Sequence, residues 1–195
     1  MSVLARLRDN STGATVVEFA LVAPVFLMLM FGVLELGHMA YVQTILQGAV
    51  QDAGRDAGLE SGKQGMAAID DRVRAQVRNI IPNGTISTKR KNYASFFDVG
   101  KPEDFTDANG NGSYDSGECF MDANGNGGWD ADRSKSGLGG ADDVVVYTAT
   151  LTYDHIVPIW KMLGWDKETE LSATTTLRNQ PFADQEMRTE TQICP

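Results

Sequence analysis

Cysteine, histidine and clustered basic residues are scarce in this 195-residue chain, and each scarcity removes a class of function. There are two cysteines, Cys119 and Cys194, and two histidines, His38 and His155. Neither cysteine stands in a CxxC pair or a Cys/His cluster, which argues against zinc-binding and thioredoxin-like chemistry. Lys and Arg number 17 against 26 Asp and Glu, a formal net charge of −9. No long basic patch offsets that balance. Nucleic acid selects basic faces, so no nucleic-acid partner is expected. Nucleophile–base pairs, phosphate loops and catalytic metal motifs are also missing, and no enzymatic activity is expected. Long apolar runs are equally rare: there is one.

That run extends from Ala14 to Leu34, 21 positions interrupted only by Thr15 and Glu18. About 20 residues cross a bilayer as a helix. Arg6 and Arg8 in the polar leader MSVLARLRDNSTG predict that the short tail stays inside and the rest of the chain faces out. A secretory signal peptide would need small residues at the first and third places before the cut. A cut after Ala40 puts His38 in the third place, and one after Gly37 puts Glu35 there. Both are poor. A plain anchor leaves Glu18 unexplained, since a carboxylate in lipid costs about 2.5–3.5 kcal/mol on the insertion scale. A cut after Gly13 explains it. Ala14 then carries a new ammonium group, one helical turn from Glu18. At about 4 Å and an effective dielectric of 20, their attraction is roughly 4 kcal/mol, similar to the insertion cost.

Gly13, four residues, then Glu18-Phe19 and an apolar helix resembles the cleavage motif of type IV prepilins. With PVFLMLMFGVLELG following, the first 60 or so residues closely resemble the TadE-like minor pilins, or pseudopilins, of the tight-adherence (Tad, or Flp) pilus system. The stretch YVQTILQGAVQDAGRDAG fits that family's amphipathic continuation of the helix. The resemblance implies cleavage between Gly13 and Ala14 by a prepilin peptidase. It implies that Glu18 guides the subunit into the pilus base and that Phe19 begins the packed helix core. It also implies other pilins and Tad assembly proteins of the bacterial inner membrane as partners. The location implied is a single-pass inner-membrane protein with an extracytoplasmic C-terminal domain, or a subunit of the surface pilus.

The expected organisation is a leader at 1–13, a transmembrane and amphipathic helix at 14–60, and an extracytoplasmic α+β domain at 61–195. Ala40, Ile45, Ala49, Ala53 and Ala57, with Gly54 and Gly58, form a strip suited to close contact, either with another helix or with the chain's own domain. ESGKQG breaks the helix. Ile69, Val73, Val77 and Ile80 recur at helical spacing over Met66 to Ile81, and Pro82-Asn83-Gly84 stops that helix. TISTKRK, SFFDV, DVVVYTATLTYDHI and ETELSATTTLR read as strands of a small antiparallel sheet, with Leu171, Ala173, Thr175 and Leu177 on one side of the last. Trp160 and Trp165, in the apolar connection IVPIWKMLGW, are expected in the core or covering the sheet rather than as a ligand platform, and both histidines are expected to be structural.

An acidic insert occupies 103–133. From Glu103 to Asp132 it holds eight acidic residues and no Lys or Arg. DANGNGSYDSGE, Asp107 to Glu118, fits the calcium-loop pattern D-x-[DN]-x-[DN]-G-x5-E without a gap. Asp107, Asn109 and Asn111 supply side-chain oxygens, Gly112 the sharp turn and Ser113 a backbone carbonyl. Asp115 acts through water, and Glu118 binds with both oxygens. A second copy, DANGNGGWDADR, repeats Asp122, Asn124, Asn126, Gly127 and Asp130. Its twelfth place is Arg133, which is no ligand, and Asp132 is the substitute within the loop. Three residues separate the loops, too few for the exiting helix of an EF-hand. Calcium is therefore the expected cofactor, bound weakly at roughly 10⁻⁴–10⁻³ M as in extracellular modules. In an extracytoplasmic domain Cys119 and Cys194 are expected to form a disulfide rather than two buried thiols. A membrane-anchored calcium-dependent adhesin that never enters a filament is the competing reading.

Overall fold

The computed structural model describes residues 12–57, 66–158, 160–180 and 188–195. The leader with Arg6 and Arg8, the ESGKQG break and Gly58 lie outside them. Helix α1 runs unbroken from Thr12 to Ala57, 46 residues with Pro24 inside. Helix α2 spans Met66–Arg78. Strands β1 (Thr85–Tyr93), β2 (Phe120–Asp122), β3 (Lys135–Ser136), β4 (Val144–Asp154), β5 (Glu168–Arg178) and β6 (Thr191–Ile193) follow, with a short helix α3 (Trp160–Leu163) between β4 and β5. The larger sheet has the order β3-β1-β4-β5, and β2 pairs with β6 in a second, two-stranded sheet. A long apolar helix followed by an antiparallel sheet domain makes the chain α+β, as the sequence predicts.

Two compact units divide the chain. One comprises Met1–Val42 with Tyr153–Thr169, and the other Gln43–Thr152 with Glu170–Pro195. In the second unit, β4 is the central strand because every other side chain is apolar enough to bury: Val145, Tyr147, Ala149 and Leu151 are closed from solvent. Burying each large apolar side chain contributes about 1.5–3 kcal/mol. β1 pairs antiparallel along β4 from Thr85↔Thr152 to Tyr93↔Val144. Helix α2 turns Ile69, Val73 and Val77 inward. The fourth core position is Ile81 rather than Ile80, because the helix ends at Arg78 and the turn, closed by Ile81 N–H to Val77 O at 2.9 Å, swings Ile81 in. Asp70 on α2 is buried and accepts hydrogen bonds from Arg90 and from Tyr147 Oη, the latter at 2.7 Å. That ties the helix to the sheet face.

The C-terminal part of α1 packs on this same unit. Leu46, Ala49, Val50 and Ala53 are buried, and Gln43 Nε2 donates to Ser172 O at 2.9 Å. The small-residue strip therefore serves the chain's own domain over Ala49, Ala53 and Gly54, whereas Ala40 is exposed. A Cβ on Gly54 would stand 2.6 Å from Thr175 Cγ2. Gly54→Val is expected to cost about 1–3 kcal/mol by overpacking. Thermal melts of the detergent-solubilised chain check this, and an unchanged midpoint would show that the contact is slack.

Two expectations are corrected. SFFDV is not a strand: Phe96–Asp98 form a 3-10 turn. Ser95 Oγ bonds the Asp98 carboxylate at 2.7 Å and Asp98 N–H reaches Ser95 O at 3.2 Å, so local bonds close the backbone before it can extend. Trp165 is not core, since it is 52% exposed, and Trp160 is half-buried.

Candidate functional site

Three features carry chemistry. The first is the apolar half of α1. From Val16 to Leu34 most of its large side chains are open to the surroundings: Phe19 is 71% exposed, and Leu21, Leu29 and Val33 are similarly bare. Such a surface is unstable in water and requires lipid or neighbouring apolar helices. Gly13, Glu18 and Phe19 lie on this helix, and Glu18 is exposed. Among the described residues no side chain bonds to it.

The second feature is the buried carboxylate that closes this run. Glu35 follows Leu34 directly and is only 2% exposed. Its Oε1 lies 2.8 Å from His155 Nδ1, and its Oε2 accepts the Val157 N–H at 3.3 Å. Thr169 Oγ1 holds the other ring nitrogen, Nε2, at 2.9 Å. The partner of His155 was not foreseen. The two residues are 120 positions apart, and no local pattern links them.

The third feature is the acidic insert, where the two loops repeat one another bond for bond. Asp107 accepts N–H groups from Gly110 (2.7 Å), Asn111 (3.2 Å) and Gly112 (2.8 Å). Asp122 accepts them from Gly125 (2.6 Å), Asn126 (3.3 Å) and Gly127 (2.9 Å). The glycines at both places are left-handed, with φ of 75° and 77° in the first loop and 79° and 84° in the second. A side chain there would cost about 1–2 kcal/mol. The Gly112 N–H, with those of Gly110 and Asn111, holds the Asp107 carboxyl below the usual carboxylate range. Asn109 and Asn111 direct their amides at Asp115 Oδ2 (2.7 and 2.6 Å), and Asn124 and Asn126 direct theirs at Asp130 Oδ2 (2.7 and 2.5 Å). Ser113 N–H donates to Asn111 Oδ1 at 2.7 Å, and Gly128 takes that place in the second loop at 2.8 Å.

The twelfth position is where the copies differ in sequence and agree in space. Glu118 Oε1 accepts the Ala108 N–H at 2.8 Å and its Oε2 the Asp115 N–H at 3.0 Å. In the second loop the equivalent N–H groups are those of Ala123 and Asp130. Both go to Glu103, at 2.8 Å to Oε1 and 3.1 Å to Oε2. Glu103, from the irregular segment before the first loop, thus stands where Arg133 cannot. Asp132, the expected substitute, is turned away: it accepts from Lys91 at 2.5 Å and from Tyr93 at 3.2 Å. Partial burial would raise the Asp132 carboxyl, but those bonds outweigh it and hold it low. Arg133 pairs instead with Asp98 at 3.1 Å and Asp104 at 2.6 Å.

Glu103 is fully buried, and among the described residues no Lys, Arg or His pairs with it. Tyr114 and Trp129, each eighth in its loop, stack at 4.7 Å with an 11° tilt. Trp129 Nε1 donates to Glu103 O at 2.9 Å. The loops thus share one aromatic wall. Cys119 and Cys194 form a disulfide, fastening β6 beside the end of the first loop.

The donor set is all oxygen, without nitrogen or sulfur ligands, which suits a hard cation of calcium's kind and not zinc. Among the described residues no three His, Cys, Asp or Glu side chains converge on a common metal position. The carboxylates are spread over backbone N–H groups, and the asparagine amides donate to the ninth-position aspartate. A cation would have to displace those amide hydrogens and draw the Oδ1 atoms inward.

Among the described residues one helix, ahead of a small sheet domain, is long and apolar enough to cross a membrane, which makes it a candidate membrane anchor. Residues 13–55 match the family model of TadE-like proteins. The match covers the helix that carries Gly13, Glu18 and Glu35. Neither curated proteins nor solved structures gave a match to the chain.

Proposed function

We propose that this protein is a minor pilin, or pseudopilin, with a structural rather than enzymatic role. It enters or primes a Tad pilus through α1, and calcium braces its extracytoplasmic domain for surface adhesion. The observation that carries the reading is the uncovered apolar half of α1 with one exposed carboxylate, Glu18, five positions after Gly13. A prepilin peptidase of the inner membrane would cut between Gly13 and Ala14, and the new amine would neutralise Glu18 of its own or a neighbouring subunit. The TadE-like match over this helix supports association with Tad pilus components. Calcium would be held by Asp107, Asn109, Asn111, Ser113, Asp115 and Glu118 in the first loop. Asp122, Asn124, Asn126, Asp130 and the buried Glu103 would hold it in the second. The twin loops favour a second reading in the same terms, an anchored calcium-dependent adhesin that stays outside the filament.

The two readings separate in piliated cells. The mature chain is expected to begin at Ala14, with Gly13→Leu remaining full length. Glu18→Ala is expected to insert in the membrane at normal amounts and fail to support pili. Normal pilus numbers with Glu18→Ala at normal expression would leave the adhesin reading standing. A mature chain beginning near Tyr41 would remove the pilin reading.

A further inference from the structure

The 21-residue apolar run of α1 is about 31 Å long at 1.5 Å per residue, the thickness of a hydrocarbon core. Glu35, the next residue, therefore marks the level at which hydrocarbon ends. The segment after β4, HIVPIWKMLGWDK (155–167), is bound to that carboxylate twice, through His155 Nδ1 and the Val157 N–H. Helix and segment belong to one compact unit, so the segment stands at the same level.

What it presents there is unusual for a surface in water. Ile156 is 60% exposed and Trp165 52%, and on α1 past Glu35 the side chains of Leu36 and Tyr41 are also open. Trp160 carries the Lys161 Nζ 5.2 Å from its ring centroid. Tryptophan and tyrosine favour the headgroup level, where the ring is apolar and its polar edge stays wet, and lysine stems lie along the apolar surface with the charge in water. The hydrocarbon itself is excluded as the location. Most of the segment is irregular backbone, whose N–H and C=O groups need water or headgroups.

We propose that residues 155–167 form an interfacial membrane anchor. The segment lies in the headgroup region of the leaflet at the C-terminal end of the α1 apolar run. The proposal rests on α1 crossing the bilayer. The attraction is insertion rather than charge: Lys167 is already bridged to Asp154 at 2.7 Å, and the charge of Lys161 is offset in the segment's net charge by Asp166. Uncharged phosphatidylcholine is therefore a sufficient partner, and high salt leaves the contact in place.

The test uses the full chain reconstituted in phosphatidylcholine vesicles. Flotation first establishes whether α1 anchors the protein. Tryptophan emission is then measured with lipids brominated near the glycerol end or near the chain terminus, for the native chain and for W160F/W165F. The expected result is stronger quenching by the shallow bromines, unchanged at high salt, and loss of that component in the double variant. As a check independent of the tryptophans, I156C carries a nitroxide label; both native cysteines are in the disulfide, so labelling is specific. The label is expected to show oxygen accessibility above that of a water-soluble nickel chelate. A floating protein whose quenching is the same in native and double-variant forms, or whose label is chelate-accessible, overturns the interfacial anchor while leaving the transmembrane helix intact. A protein that does not float overturns both.

Discussion

Calcium is expected to raise the melting temperature of the full chain in detergent, and Glu103→Gln is expected to remove a large part of the gain although Glu103 lies outside both loop motifs. Binding to the native state shifts folding by mass action, about 2.7 kcal/mol at a hundredfold excess over the dissociation constant. At the chain's size that is a rise of roughly 5–10 °C. Calcium would add a second contribution by neutralising carboxylates that now rely on N–H groups and amides. Glu103 is the sharpest case, being fully buried with no Lys, Arg or His paired to it among the described residues. The glutamine keeps the shape but not the charge, and its amide would place hydrogens against the Ala123 or Asp130 N–H groups that Glu103 now accepts. Asp107→Ala and Glu118→Ala should abolish the first-loop share, and Asp122→Ala the second. Asp132→Ala should leave the calcium effect whole, because that carboxylate serves Lys91 and Tyr93. Magnesium should substitute poorly, being smaller and demanding tighter octahedral geometry. Trp129, stacked on Tyr114 between the loops, provides a fluorescence reading of the same titration. A melting curve unmoved at millimolar calcium would reduce the insert to a hydrogen-bonded turn cluster. A full calcium response in Glu103→Gln would remove that residue from the site.

The experiment needs the whole chain because the end of α1 belongs to the folded domain, one of the two packings the sequence left open. A domain cut at residue 59 would lose Leu46, Ala49, Val50 and Ala53, all buried in the second compact unit. What was legible followed local rules. The apolar run has the length of a bilayer, Ile69, Val73 and Val77 have the period of a helix, and β4 is β-branched and aromatic along most of its length. The repeated D-x-N-x-N-G loops announced their turns through glycines that the structure does hold left-handed. What was hidden depends on residues meeting across the chain. Glu103 completes the amide pattern of a loop that starts 19 positions later, and Glu35 meets His155 across 120. Strands β2, β3 and β6, of two or three residues, are too short to show any period. The second sheet was invisible because β2 lies between the loops and β6 at the far C-terminus.

That sheet is where the disulfide acts, and its loss is expected to be the most costly change outside the core. Cys119–Cys194 closes a loop across a sequence separation of 75. Restricting the unfolded chain over that length is worth about 4 kcal/mol on the chain-entropy model, or roughly 10 °C of melting temperature at this size. The bond also positions the two acidic loops. Cys119 follows Glu118 directly, and its carbonyl accepts the Thr106 N–H at 2.8 Å, beside Asp107. β6, held by Cys194, pairs with the Phe120–Asp122 strand that begins the second loop. Arg188, ahead of β6, ties the same tail to Asp143 at 2.8 Å, so on reduction the C-terminus is expected to stay folded while losing its register on β2. Cys119→Ala/Cys194→Ala, or reduction of the native chain, should therefore lower the midpoint without calcium and weaken the calcium-dependent rise with it. Parallel melts with and without reductant, at zero and millimolar calcium, separate the two effects. A lowered midpoint with an undiminished calcium increment would show that the disulfide restricts the unfolded chain alone and that the loops are held by their own glycines and aromatic wall. A midpoint unmoved by reduction would show that the pairing of β2 with β6, with Arg188 behind it, already fixes the tail.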